Sequence, residues 1–174
     1  MISQDKMDNI YYVWDASAFI NGFTPQNQYN YTSSKITSEI KDIKASILFN
    51  SLLDDNQLII QEPTVEAIKQ LKQTIIKSGD DLRLSAPDMD VIALAIDLNK
   101  NHKIKLVTDD YSIQNVLKIL EIPYQSIITR GIEQTYSWKK SCPSCGKQYS
   151  SDYQFEDCEI CGSILYKKRT KGKK

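Results

Sequence analysis

Ile104-Lys105-Leu106-Val107-Thr108-Asp109-Asp110-Tyr111-Ser112-Ile113-Gln114-Asn115-Val116-Leu117 reads as a strand that ends in two aspartates and turns at once into a helix. Residues 104–108 are β-rich. Beyond the acids, Ile113, Val116, Leu117 and Leu120 keep the i, i+3, i+4, i+7 spacing of one helix face. A strand leading directly into an amphipathic helix is half of a βαβ unit. Such units build parallel sheets covered by helices on both faces.

The same alternation extends upstream. Ser85-Ala86-Pro87-Asp88 reads as a helix start, and the helix to about Leu98 is apolar almost all round, with Met89, Val91, Ile92, Leu94 and Ile96; such a helix packs on more than one side. Val65, Ile68, Leu71 and Ile75 mark an amphipathic helix ending near Ser78-Gly79, and Leu58-Ile59-Ile60 is a strand halted before Pro63. A helix from about Thr37 to Leu53 is expected, with Ile40, Ile43 and Ile47 on one face, while Thr24 to Ser34 is polar and irregular. Ile10 to Trp14 is a strand running into Asp15, and Ala16 to Ile20 a short helix stopped by Asn21-Gly22. Downstream, a last short strand is expected over Tyr124 to Thr129, then a linker from Arg130 to Lys140. The expected fold class is α/β, a parallel sheet flanked by helices with a small C-terminal module.

That module is marked by the chain's only four cysteines, as Cys142-Pro143-Ser144-Cys145-Gly146 and Cys158-Glu159-Ile160-Cys161-Gly162. Two residues between thiolates let both sulfurs of a tight turn reach one tetrahedral ion, and the glycine relieves the backbone curling around the sulfur. Four such ligands predict one structural zinc. Disulfides and a rubredoxin-like iron site are the weaker competing readings. A closed zinc site organises a fold and does no chemistry, so the activity is expected upstream.

A chain of 174 residues, 41% apolar and 25% charged, holds one ordinary domain and a small appendage. No apolar run approaches the roughly 18 residues of a membrane helix, and Met1 to Asn9 is polar. The expectation is a soluble protein of a reducing, cytoplasmic compartment with no membrane partner. The zero net charge hides an asymmetry: residues 1–126 carry 12 basic against 17 acidic side chains, and residues 127–174 carry 10 against 5. Lys167, Lys168, Arg169, Lys171, Lys173 and Lys174 close the chain without an acid, which reads as a basic, unstructured tail for a polyanion or simply as a solubilising end. Tyr149, Tyr153, Phe155 and Tyr166 offer rings for stacking unpaired bases or for the small module's own core.

Sites in open parallel sheets form beyond the carboxyl ends of the strands. Asp15 follows the first strand, Asp109 and Asp110 follow the strand at Ile104, Glu39 lies in an expected first helical turn, and Asp88 opens the apolar helix. Each has a plain structural explanation as a cap or turn residue. Together they read as acids gathered at one rim, where mutual repulsion calls for a cation; magnesium or manganese suits oxygen ligands. His102, the single histidine, sits in a polar turn and reads as exposed. With no upstream cysteine and no Walker-type loop, the inventory favours metal-assisted phosphodiester hydrolysis with one or two ions.

Asp15-Ala16-Ser17-Ala18-Phe19-Ile20, Thr37-Ser38-Glu39-Ile40-Lys41-Asp42, Leu84-Ser85-Ala86-Pro87-Asp88 and Val107-Thr108-Asp109-Asp110-Tyr111-Ser112-Ile113-Gln114-Asn115 occur in the order of a PIN-domain nuclease. With the four-cysteine ribbon behind them, they resemble the archaeal Nob family, ribosome-assembly endonucleases that trim the 3′ end of small-subunit ribosomal RNA. The resemblance covers about residues 10–166. It implies a metal-dependent endoribonuclease acting on RNA in pre-ribosomal particles, with Asp15, Glu39 and Asp88 as metal-binding acids and Ser17 as a polar neighbour. It places the fourth acid at Asp110, the usual Thr-x-Asp position, with Asp109 as the alternative. Taken with the charge and organisation of the chain, it divides the sequence into an expected PIN-like domain over 10–129, a linker over 130–140, a zinc ribbon over 141–166 and, beyond the reach of the resemblance, a basic tail over 167–174. Pro87 departs from the threonine usual in relatives but suits a first helical turn, and Asp90 is a further acid with no assigned role. The competing functions are a non-catalytic RNA-binding assembly factor and a toxin-type PIN ribonuclease.

Overall fold

Val13 and Trp14 have no exposed surface, because the strand that carries them is the middle of a five-stranded sheet. The computed structural model describes residues 9–78, 84–128 and 136–171. Strands β1 (Ile10–Trp14), β2 (Asn30–Thr32), β3 (Ile59–Ile60), β4 (Lys103–Val107) and β5 (Tyr124–Gln125) pair in the order β3-β2-β1-β4-β5, every pair parallel. Helices α1 (Ala16–Ile20), α2 (Ile43–Asp54), α3 (Val65–Ser78), α4 (Ala86–Asn99) and α5 (Tyr111–Ile119) fill the connections. From β1 the chain moves outward through β2 and β3, then returns to the other side of β1 as β4. The crevice beyond the ends of β1 and β4 is therefore a topological switch point, where such sheets build their sites.

The nearly all-apolar α4 is the centre of the core. Residues 91–95 are fully buried, and the helix packs against α3, β4 and β1, as its lack of a polar face requires. The α5 stripe holds too: Ile113, Val116 and Leu117 are fully buried. His102 is exposed as expected, but its ring stacks on Tyr11 at 3.9 Å.

Two local expectations give way. The expected single helix from Thr37 is instead a 3-10 turn (Ser34–Ser38), a break, and then α2, whose start is fixed by Asp42 Oδ2 accepting from the Ala45 amide at 3.0 Å. Restarting the helix rotates its faces. Ala45, Phe49 and Leu52 are buried, whereas Ile43 and Ile47 are 76% and 61% exposed. Aromatic packing decides the outcome, since Phe49 meets Phe19 edge-on at 5.3 Å and Phe19 packs against Trp14 at 5.1 Å. Phe49→Ala should therefore cost about 3–5 kcal/mol in chemical denaturation, and Ile47→Ala less than about 0.5 kcal/mol. Equal costs would return the isoleucines to the packing face.

The second is β2, hidden in a stretch expected to be irregular. Its Asn30 and Thr32 are fully buried because they are satisfied. Asn30 Oδ1 accepts from Trp14 Nε1 at 3.1 Å, its Nδ2 donates to the carbonyls of Asn27 and Gln57, and Thr32 Oγ1 donates to the Trp14 carbonyl at 2.9 Å.

The C-terminal module is a three-stranded antiparallel sheet in the order β7-β6-β8, from β6 (Tyr136–Ser141), β7 (Gln148–Tyr149) and β8 (Tyr166–Lys171). Residues 136–140, expected as linker, and 167–171, expected as unstructured tail, pair with each other along the whole of β6. Backbone pairing with a strand on each flank of the cysteines offsets the unfavourable proximity of their lysines. Lys173 and Lys174 lie outside the described residues, as do Arg130 and the end of the strand expected to reach Thr129. Tyr149 is buried and stacked on Tyr153 at 4.3 Å, so two of the four candidate rings form the ribbon's core.

Candidate active site and cysteine cluster

The β1–β4 register sets Trp14 opposite Val107, so the next residues, Asp15 and Thr108, leave the sheet side by side. Thr108 Oγ1 donates to Asp15 Oδ2 at 2.8 Å, and Ser17 Oγ donates to the same oxygen at 2.8 Å. Ser17 Oγ in turn accepts the Asp109 amide at 3.0 Å. Asp15 also caps α1, so the plain structural role and the functional one coincide. Its carboxyl is pushed above the ordinary aspartate range by burial, against the hydrogen bonds from Ser17 and Thr108.

Ser85 joins the other two acids. It forms a capping box with Asp88 at the start of α4, with the Ser85 amide donating to Asp88 Oδ2 at 2.7 Å and the Asp88 amide to Ser85 Oγ at 3.2 Å. Ser85 Oγ then donates to Glu39 Oε1 at 2.8 Å. Glu39 follows the 3-10 turn rather than sitting in a first α-helical turn as expected. The result brings together Asp15, Glu39 and Asp88, with a ligand oxygen from each lying within 4.8 Å of the others. Each is held through one oxygen, and the second oxygens of Glu39 and Asp88 receive no donor among the described residues. Burial raises Asp88 to about 6, with Asp15 and Glu39 adding to the rise. Three carboxylates converging with nothing positive between them fit a hard divalent cation.

Neither Asp109 nor Asp110 belongs to this triad. Asp110 Oδ1 caps α5 through the amides of Ser112 and Ile113 at 2.6 and 3.2 Å. Asp109 accepts from Asn21 Nδ2 at 2.9 Å and from the amides of Ile127 and Ile128, bracing the segment after β5. Asp90 is buried and paired with Lys35 Nζ at 2.8 Å, which ties the 3-10 turn before Glu39 to the helix that carries Asp88. The sequence alone gives no role to Ser85 beyond capping, to Thr108 beyond its place in the motif, or to Lys35. The first two are legible as polar neighbours of acids; a lone lysine in a polar stretch carries no such mark.

The four cysteines also converge. Their sulfurs lie within 4.8 Å of one another, with Cys142–Cys161 at 3.4 Å and Cys145–Cys158 at 3.5 Å. A tetrahedral ion with bonds of about 2.3 Å sets its sulfurs about 3.8 Å apart, so the cage has the right size, and none of the four is in a disulfide. Gly146 and Gly162 take φ of 74° and 70°, the left-handed conformation that closes each knuckle, where glycine is unstrained. The Tyr149 hydroxyl lies 3.1 Å from Cys158 Sγ and draws that thiol down to about 6.

The family described as "PIN domain of ribonuclease" matches residues 12–98, the span that holds the whole triad. Over 166 residues the chain is 45% identical to a protein of Methanothermobacter thermautotrophicus named "Endoribonuclease Nob1", covering 94% of this chain and 97% of that one. The protein of the same name from Methanocaldococcus jannaschii is 39% identical over 163 residues, 92% of this chain and 79% of that one. "Ribonuclease VapC1" of Thermoplasma acidophilum is 33% identical over 153 residues, 87% and 74% of the two chains. Relatives matched along nearly its full length and an acid triad inside the PIN match together establish that the chain belongs to the archaeal Nob1 family of PIN-domain endoribonucleases.

Proposed function

We propose that this endoribonuclease trims the 3′ end of precursor small-subunit ribosomal RNA in pre-ribosomal particles, using magnesium or manganese held by Asp15, Glu39 and Asp88, while zinc fills the cysteine cage. The observation that carries the catalytic part is the triad, three carboxylates within 4.8 Å at the switch point of a parallel sheet. A divalent ion bound there supplies Lewis acidity toward the phosphate and lowers the pKa of a coordinated water. The chain's own residues do the positioning. Thr108 and Ser17 fix the Asp15 carboxylate from one side, and Ser85 fixes Glu39 and Asp88 from the other. The ribosomal part rests on the resemblance of the four motifs and the ribbon to ribosome-assembly nucleases. The Methanothermobacter alignment reaches through the cysteine cluster, which favours this reading over a toxin-type ribonuclease. A non-catalytic assembly factor is disfavoured by the intact triad. Incubation with RNA spanning the 3′ end of the small-subunit RNA should give one metal-dependent cut; no cut near that end in free RNA or assembled particles would remove the ribosomal assignment.

We assign the fourth acid to Asp110, because both oxygens of Asp109 are already taken by Asn21 and backbone amides. Asp110→Asn should lower cleavage about 10- to 100-fold, a typical cost for an outlying metal-site group, and Asp109→Asn less. The reverse order would show that the bracing aspartate is the one used.

The pH dependence has a definite sign. Asp88, raised to about 6, binds a proton in competition with the cation. Manganese affinity should fall as pH drops through about 6, and added manganese should restore activity. The metal-free protein should behave oppositely. A carboxyl whose folded pKa lies above its unfolded value of about 3.9 favours folding when protonated, so that stability is present below about 4 and lost as pH rises through about 6. Manganese titration and thermal unfolding at pH 5 and 7 test both; affinity and stability moving together would contradict the assignment to Asp88.

A further inference from the structure

The two cysteine knuckles are built alike. In the first, the Cys142 amide donates to the Lys147 carbonyl at 2.9 Å and Gly146 takes φ of 74°. In the second, the Cys158 amide donates to the Ser163 carbonyl at 2.9 Å and Gly162 takes φ of 70°. Counted from their first cysteines, Ser144 matches Ile160, Gln148 matches Ile164 and Tyr149 matches Leu165. Tyr149 and Leu165 both pack in the ribbon's core. At the other two positions the knuckles part. The first closes its half of the cage with polar residues where the second has isoleucines, so the cage does not require them. Nor does the core, since Ile160 and Ile164 are 62% and 77% exposed.

The second knuckle also carries a further ring and charge of one sign. Phe155, 63% exposed, meets Tyr153 edge-on at 5.5 Å, outside the Tyr149–Tyr153 stack. Lys140 Nζ holds this loop by donating to the carbonyls of Tyr153 and Phe155 at 2.8 and 3.1 Å. Residues 148–166 contain Asp152, Glu156, Asp157 and Glu159 and no base. All four acids are exposed, and none has a cationic partner among the described residues. Asp157 stands opposite Ile164 in an antiparallel bridge. Opposite residues share a face, so a carboxylate lies beside an exposed isoleucine. Apolar side chains gathered on one short hairpin and rimmed by uncompensated charge have the make-up of a protein-docking surface.

We propose that the second knuckle docks a basic protein of the small-subunit precursor particle. Ile160, Ile164 and Phe155 supply the apolar contact, and Glu156, Asp157 and Glu159 face the partner's lysines or arginines. Four acids without a base repel phosphates, which argues against RNA on this surface. They equally oppose the same surface of a second copy, because a two-fold contact sets acid against acid. A cationic polypeptide bearing apolar side chains is complementary on both counts. The site rests on the ribosomal reading only for where that partner is met. It adds a protein anchor separate from the acid triad.

The test places photoreactive p-benzoylphenylalanine at Ile160 of the zinc-loaded full chain or, as a control, at Lys69 on the exposed α3 surface. Each protein is irradiated with purified small-subunit precursor particles, and parent protein is sedimented with the same particles. Position 160 should give a ribonuclease-resistant cross-link to a lysine- and arginine-rich stretch of one protein, and position 69 should not. Ile160→Ser/Ile164→Gln, which writes the first knuckle's residues into the second, should weaken binding of that purified protein about tenfold. Glu156→Gln/Glu159→Gln should slow its association and flatten the salt dependence. Both variants should keep one zinc per chain and the parent's manganese-dependent cleavage. A cross-link from position 160 that ribonuclease removes, or that joins two copies of this chain, overturns the choice of partner. With the parent sedimenting on particles, an absent cross-link or parental affinity in the isoleucine variant overturns the docking surface and leaves the ribosomal reading intact. Parent protein that never sediments with the particles sinks the ribosomal reading and the particle partner with it.

Discussion

Asp15→Asn and Asp88→Asn should each lower RNA cleavage by about 10³-fold or more, the scale of removing a group that organises transition-state charge, without loss of the fold. In the Asp15→Asn variant the amide still offers one oxygen to the hydroxyls of Ser17 and Thr108, in place of Asp15 Oδ2. The cap survives while the charge that gathers a cation is gone. The buried Asp15 carboxylate also carries an uncompensated desolvation cost, seen as its raised pKa. The metal-free Asp15→Asn protein should therefore unfold at the same temperature as the parent or higher. Manganese should raise the melting temperature of the parent, as any ligand of the native state does, and leave the variant unmoved. Undiminished cleavage by both variants would reduce the acids to caps.

The second large effect concerns the cage. Cys158→Ser should abolish zinc retention and unfold the ribbon, because a structural zinc site contributes about 10–16 kcal/mol to folding such a module. Its remaining apolar support is small, namely Tyr149 with the partly buried Tyr153 and Leu165. Cys142 follows β6 directly and β8 begins five residues after Cys161, so the ladder should fray with the cage; an isolated strand pair is marginal in water. Amide exchange should accelerate across residues 136–171 and stay slow in β1, β4 and α4. Elemental analysis of the parent should give one zinc per chain. A zinc content near zero in folded parent protein, or slow exchange in the variant's ladder, would remove metal from the ribbon's stability.

Legibility in the sequence follows the physics of each segment. α4 and α5 are readable because apolar periodicity or its saturation has no competitor, and the capping box at Ser85 marks the start of α4 within a residue. β2 is unreadable because its burial depends on Asn30 receiving the Trp14 indole and meeting two distant carbonyls, which no local pattern encodes. The isoleucine stripe of α2 misleads for a related reason, since the spacing of Ile43 and Ile47 is helical but the choice of inner face belongs to Phe19 and Phe49. At the site, the three triad acids are legible from their places after a strand, in a motif and at a helix start. What holds them is tertiary. The Thr108 contact exists only because β1 pairs with β4, and the Ser85–Glu39 bond spans 46 residues of sequence. The tail's strand escapes notice because a run of lysines reads as solvated chain until its partner strand is known.

The central claim, that Asp15, Glu39 and Asp88 make a metal-dependent RNA-cutting site, is tested most directly by one cleavage assay. Parent and Asp15→Asn proteins, both zinc-loaded and dialysed free of other divalent ions, are incubated side by side with RNA spanning the 3′ end of the small-subunit RNA, with and without manganese. The expected result is a cut by the parent with manganese and none in the other three reactions. Equal cutting by Asp15→Asn, or by the parent without manganese, would contradict it.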